Sequence, residues 1–215
     1  AFRSGTNTLQ FAAGKRVTAE TVLTLESTTG SLIPAGSLTL TAGFGVVIQE
    51  ALTAAASNKP LVIDSDFETA GDGTRTVQTG MTVTSSKSDV TITAWDLALD
   101  GSLTAGTKSL VVHGAKSSQT IGIGVSLSQQ MEILDGELGR MTAEAGLTVG
   151  SSTGGELQVK GLVATGANSF QPDATTVAKG VNDAKSASKG SKVTKKTSSM
   201  TSNGGDTLKV VAEKA

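Results

Sequence analysis

Val17-Thr18-Ala19-Glu20-Thr21-Val22-Leu23-Thr24-Leu25, followed by Gly30-Ser31-Leu32 and Ala35-Gly36, returns later in the chain. The second copy is Ile92-Thr93-Ala94-Trp95-Asp96-Leu97-Ala98-Leu99, followed by Gly101-Ser102-Leu103 and Ala105-Gly106. Both share an apolar-Thr-Ala start, a Leu-x-Leu run, a Gly-Ser-Leu corner and an Ala-Gly turn. Alternating apolar and polar residues send one side chain in and the next out, as a half-buried strand requires. The glycines mark where each strand must turn. A short unit of this kind cannot bury its apolar face alone, so a chain that repeats it stacks similar layers. Val17 and Ile92 stand 75 positions apart, so the repeat marks a module several layers deep.

Outward from these two copies, short alternating runs recur at 8–11, 38–40, 46–48, 61–63, 74–77, 81–84, 90–93, 110–112, 121–124, 147–149 and 157–159. Gly14-Lys15-Arg16 reads as a turn. Residues 51–56 read as a helical turn too short to hold alone. Leu127, Met131, Leu134, Leu138 and Met141 have helical spacing, but Gly136 and Gly139 oppose a helix at ~1 kcal/mol each. A strand near 131–134 and a helical turn near 135–141 reconcile the two signals. The tally is roughly 14 short strands with almost no helix, an all-β chain. A parallel β-solenoid fits the internal repeat, the brevity of the strands and the lack of Asn-Gly hairpin dipeptides; a β-sandwich is the alternative. At ~20 residues per coil the body has about 8–9 coils, stacked at ~4.8 Å to roughly 40 Å.

Composition agrees. Apolar residues make up 37% of the chain and aromatics 3%, with one Trp and no Tyr, so the core is built from Val, Leu, Ile and Ala. Ser and Thr together count 55, which suits short strands joined by tight turns. Without cysteine there is no disulfide framework, thiolate metal site or thiol nucleophile. No apolar run reaches the ~18 residues of a membrane span. The first residue is Ala1 and no signal peptide opens the chain, which reads as a processed or excised piece.

The net charge of −1 hides an asymmetry. Residues 1–178 carry 10 basic and 16 acidic side chains, and residues 179–215 carry 8 lysines and 3 acids. The body at 1–178 is therefore acidic and the low-complexity tail at 179–215 basic. The tail ends in a strand candidate at 207–211. A strand on a linker can add to an exposed sheet edge, and Lys192, Lys195, Lys196, Leu208 and Val210 are the expected self-association residues. The tail has no aromatic residue for base stacking, so no nucleic-acid partner is expected.

Residues 90–150 resemble the filamentous-haemagglutinin type of repeat of large secreted adhesins. The likeness is carried by Val90-Thr91-Ile92-Thr93-Ala94, Asp96-Leu97-Ala98-Leu99-Asp100-Gly101-Ser102-Leu103, Thr120-Ile121-Gly122-Ile123-Gly124 and Ala145-Gly146-Leu147-Thr148-Val149-Gly150-Ser151. That resemblance implies a right-handed parallel β-helix, an extracellular or cell-surface location, and a role in adhesion or fibre building. The secretion domain of such adhesins is not visible in this sequence, and the basic tail lies outside the pattern.

Few residues suggest chemistry. Asp64, Asp66, Glu68 and Asp72 alternate as oxygen ligands of Ca²⁺ do, although Thr69 and Arg75 break the EF-hand frame. Asp64, Asp66 and Arg75 are the set a polysaccharide-cleaving β-helix enzyme would need. His113 is the only histidine, and no Gly-x-Ser-x-Gly elbow presents a serine to it. Thr-x-Thr pairs at Thr6/Thr8, Thr39/Thr41, Thr74/Thr76, Thr82/Thr84 and Thr91/Thr93 are the raw material of an ice-binding face, but their spacing is irregular. Trp95 replaces Glu20 of the first copy and is a candidate glycan contact. These observations point to a non-enzymatic structural or adhesive protein that stacks head-to-tail on itself, without a required cofactor. Carbohydrate binding or cleavage, and ice binding, are the alternatives.

Overall fold

The computed structural model describes residues 8–161 in full. Outside them it describes the strands Phe2–Ser4, Phe170–Gln171, Ser191–Val193, Ser198–Ser202 and Thr207–Val210. The chain is all-β with stacked parallel strands, and the single helix among the described residues is the four-residue Asp135–Leu138.

The chain visits three sheets in a fixed order. Val22–Ser27 lies in the first sheet, Leu32–Pro34 in the second and Leu38–Ala42 in the third. Gly45–Ile48, Leu52–Thr53 and Leu61–Asp64 form the next layer, then Thr74–Val77, Thr82–Thr84 and Val90–Ala94, then Asp96–Leu99, Ser102–Gly106 and Leu110–Gly114. Each strand pairs in parallel with its counterparts one layer before and one layer after. Backbone N–H and C=O groups are thus satisfied between layers, which is why strands of only two to six residues hold together. Among the described residues, antiparallel pairing, which a sandwich requires, occurs only in pairs that include a strand of the tail.

Register turns the apolar alternation into ladders. Val17, Leu40, Ile63, Ile92, Val112 and Val149 align one above another in the third sheet, as do Leu38, Leu61, Val90, Leu110 and Leu147. Leu9, Leu32, Leu52, Val83, Leu103 and Met141 do the same in the second sheet. Leu25, Ile48, Val77 and Leu99 do so in the first. From Leu38 to Met141 these residues are buried in one continuous core. The two copies of the repeat occupy equivalent places in this frame. Val17 is linked to Ile92, Leu25 to Leu99 and Leu32 to Leu103, each by way of two intervening layers.

The layers are fewer and longer than expected. Lys15, Leu38, Leu61, Val90, Leu110 and Leu147 succeed one another at 23, 23, 29, 20 and 37 residues, so among the described residues the third sheet stacks six parallel body strands rather than eight or nine coils. Two insertions lengthen them: residues 65–73, and the stretch between Leu110–Gly114 and Met141–Ala143. Within the second insertion, Ile121–Gly124 lies between Met131–Leu134 and Leu157–Lys160 in a fourth sheet, so spatial order departs from chain order. The strand and helical turn expected there are present. Lys15–Ala19 is a strand, not a turn, and residues 51–56 hold the strand Leu52–Thr53 in place of a helical turn.

Glu137 secures this irregular layer. Its carboxylate accepts the amide of Leu99 at 2.8 Å and that of Leu134 at 2.9 Å, while Arg140 Nε donates to Leu99 O at 2.8 Å. Burial raises the Glu137 pKa, and the two amide hydrogen bonds oppose the shift.

Candidate functional site

Residues 65–73 leave the third sheet after Leu61–Asp64 and return to the first at Thr74–Val77. Asp66 turns inward and is fully buried, accepting the amides of Ala70 and Gly71 at 2.9 Å each. Asp64 Oδ1 accepts the Asp66 amide at 3.3 Å. Gly73 is required by close approach, since a Cβ there would lie 1.8 Å from Ser65 O. Glu68 reaches the other way, its Oε1 2.7 Å from where a Cβ on Gly43 would stand. The expected Ca²⁺ set of Asp64, Asp66, Glu68 and Asp72 is therefore not gathered. Among the described residues no group of three or more His, Asp or Glu side chains is placed to hold a metal ion. Asp66, which a cation would need, spends both oxygens on backbone amides.

Arg75 does not join the acids either. It occupies an inward rung of the first sheet, between Val46 and Leu97, where Leu23 stands two layers earlier. It is fully buried, with Nη1 donating to Val46 O at 3.3 Å and to Thr76 O. Nε and Nη2 have no protein partner. Desolvation lowers its pKa to about 9. An inward cation in an aliphatic ladder cannot act on a substrate outside, so the Asp64–Asp66–Arg75 set is dispersed.

Asp64 faces outward on the third sheet, in a line set by register: Thr18, Thr41, Asp64, Thr93 and His113. Thr18 and Thr41 hydroxyls share a 2.8 Å hydrogen bond, and Thr93 Oγ1 lies 3.5 Å from the His113 ring. Burial raises the Asp64 pKa, with the Asp66 charge adding to it; the Asp66 amide, His113 and Arg16 oppose the rise. The Thr-x-Thr pairs are divided among the sheets. Thr39/Thr41 and Thr91/Thr93 lie on the third with Val62 and Asp64 between them, Thr74/Thr76 on the first and Thr82/Thr84 on the second.

Trp95 sits at the turn from the third sheet to the first and is half-buried. Its amide donates to Gly73 O at 2.9 Å, its ring edge comes within 3.2 Å of where a Gly71 Cβ would be, and Lys116 Nζ lies 5.8 Å from the ring centroid. The same turn in other layers carries Phe44, 48% exposed, and Phe67, 37% exposed. Their amides donate to Thr21 O and Ala42 O. Three aromatics in a chain that has six thus stand at one corner on different layers. Trp95 alone was legible as a contact. Phe44, isolated between Gly43 and Gly45, carried the one usable signal for the others, since an apolar side chain flanked by turn residues has no strand face to bury on.

The tail residues fall in two groups. Lys192 lies in Ser191–Val193, paired antiparallel with Leu157–Lys160. Leu208 and Val210 lie in Thr207–Val210, paired in parallel with Leu147–Val149 of the same chain. Lys195 and Lys196 lie outside the described residues. At the opposite end of the stack, Leu9, Phe11, Lys15, Val17 and neighbours line an open groove of about 440 Å³.

The chain matches no family model, no curated protein and no solved structure. No helix among the described residues is long and apolar enough to cross a membrane.

Proposed function

We propose that this chain is a right-handed parallel β-helix serving as a non-enzymatic structural or adhesive subunit outside the cell, and that copies stack head-to-tail into a filament or matrix. The observation that carries this reading is the run of ladders through the whole body. They reach an edge strand, Lys15–Ala19, that has one strand neighbour among the described residues, Leu38–Ala42. A strand edge with unpaired N–H and C=O groups is a template for another strand, and repeated heterologous contact of one end with the other builds an open fibre. The right hand follows from the twist rule for parallel crossovers. The likeness of residues 90–150 to haemagglutinin-type repeats supports the extracellular, adhesive setting. Sedimentation across a wide concentration range tests the reading: a mass that grows with concentration is expected, and a monomer at every concentration refutes it.

The aromatic corner favours a second reading, contact with surface glycans. Ring faces on several layers can stack on sugar faces while the exposed Glu68 and Asp72 accept sugar hydroxyls. On a glycan array, Trp95→Ala with Phe44→Ala should abolish any binding the parent chain shows. Binding unchanged by the pair excludes the corner.

A further inference from the structure

We infer that the tail strand Thr207–Val210 is a displaceable cap on the very edge that a second copy needs, so that the chain restrains its own stacking. The inference rests on the stacking reading above. Leu208 aligns with Leu147 and Val210 with Val149, so the tail strand continues the register of the third sheet by one rung, with apolar residue types at both ladder positions. The third-sheet edge strand of another copy, Lys15–Ala19, would bring Val17 and Ala19 to this edge. It has Lys15 at the position where the later rungs carry Leu or Val. The tethered strand is therefore the better apolar match, and its tether gives it an effective concentration of ~mM.

What lies outside the cap also ends the stack. Ser198–Ser202 runs antiparallel to Thr207–Val210, and Ser191–Val193 runs antiparallel to Leu157–Lys160, closing the edge of the fourth sheet. A continuing layer requires a parallel strand at each edge, so both closures must be released before another copy can dock. The partner is a second copy of this chain, because the seated strand already demonstrates what the edge accepts: a parallel segment with apolar residues two apart.

The test compares the full-length chain with Leu208→Asp/Val210→Asp in full-length form, by sedimentation over a dilution series. The cap predicts that the variant assembles at a concentration at least tenfold lower, and that a synthetic peptide of residues 198–211 reverses this. Adding Val17→Asp to the variant should return it to monomer. Assembly of both proteins at the same concentration overturns the cap and leaves stacking intact. Assembly of the variant only at higher concentration also overturns it, since the tail would then promote stacking. Absence of assembly in both overturns stacking and the cap together. If the aspartates cost the body its cooperative thermal transition, Leu208→Ala/Val210→Ala carries the same comparison with a smaller fold-change.

Discussion

Arg75 is the residue most at odds with its surroundings. A guanidinium taken from water into an aliphatic ladder loses its hydration. Two carbonyl hydrogen bonds from Nη1 do not replace it while Nε and Nη2 go unpaired. Arg75→Met keeps most of the volume and removes the charge. It should stabilise the fold by about 1–4 kcal/mol in denaturant titrations near neutral pH. The sign of the pH dependence follows from the lowered pKa. Above about 9 the folded chain sheds the proton while the unfolded chain keeps it, so the parent should regain stability as pH rises past that value and close the gap to Arg75→Met. A destabilised methionine variant would mean that the guanidinium has a partner in solution. Asp64 works in the opposite range. Its pKa is raised by burial, so the stability linked to its neutral form is present below the ordinary carboxylate range and lost as pH rises through the folded value. Asp64→Asn keeps an acceptor for the Asp66 amide. It should raise the thermal midpoint at neutral pH and flatten its decline between mildly acidic and neutral solution; an unchanged slope would assign that decline to another group, such as Glu137.

At the scale of elements, the third sheet was legible apart from Lys15–Ala19, whereas the second was legible only at Leu9–Phe11 and Thr82–Thr84. Third-sheet strands such as Val90–Ala94 and Leu110–Gly114 have five residues and place two or three of them inward, enough for alternation to show. In the second sheet, Leu52–Thr53 has a single buried residue and Leu32–Pro34 ends on proline, so each looks like a turn until its neighbours supply the pairing. The Gly-Ser-Leu corners hold at Gly30-Ser31 and Gly101 only: Leu32 and Leu103 are rungs of a ladder, and Ala105-Gly106, expected as a turn, belongs to the strand Ser102–Gly106. The acidic loop misled for a related reason. Alternating carboxylates look alike whether they converge on a cation or cap their own backbone, and only folding separates Asp66 from Glu68. Because the chain has no cysteine, register can be tested cleanly. Thr18→Cys/Thr41→Cys replaces two hydroxyls 2.8 Å apart on neighbouring layers and should oxidise to an intramolecular disulfide. Thr18→Cys/Thr93→Cys, on strands that are not neighbours, should not. Cross-linking of the second pair in preference to the first would refute the register.

At the scale of the molecule, the opposite charges of body and tail acquire a structural setting. The basic segment that reads as an unstructured linker contributes strands to the edge of an acidic body, and its polar composition suits an outermost position. One end of the stack is thus closed by the chain itself, and the other presents Lys15–Ala19. On the stacking proposed above, such a molecule would keep its layers paired while dilute and stack once the closed end is released. The most direct test of this account is electron microscopy of the purified full-length chain at high concentration. Unbranched filaments with strands running across the axis at a ~4.8 Å repeat are predicted. A field of single particles at every concentration, with the layered fold intact by circular dichroism, would contradict it.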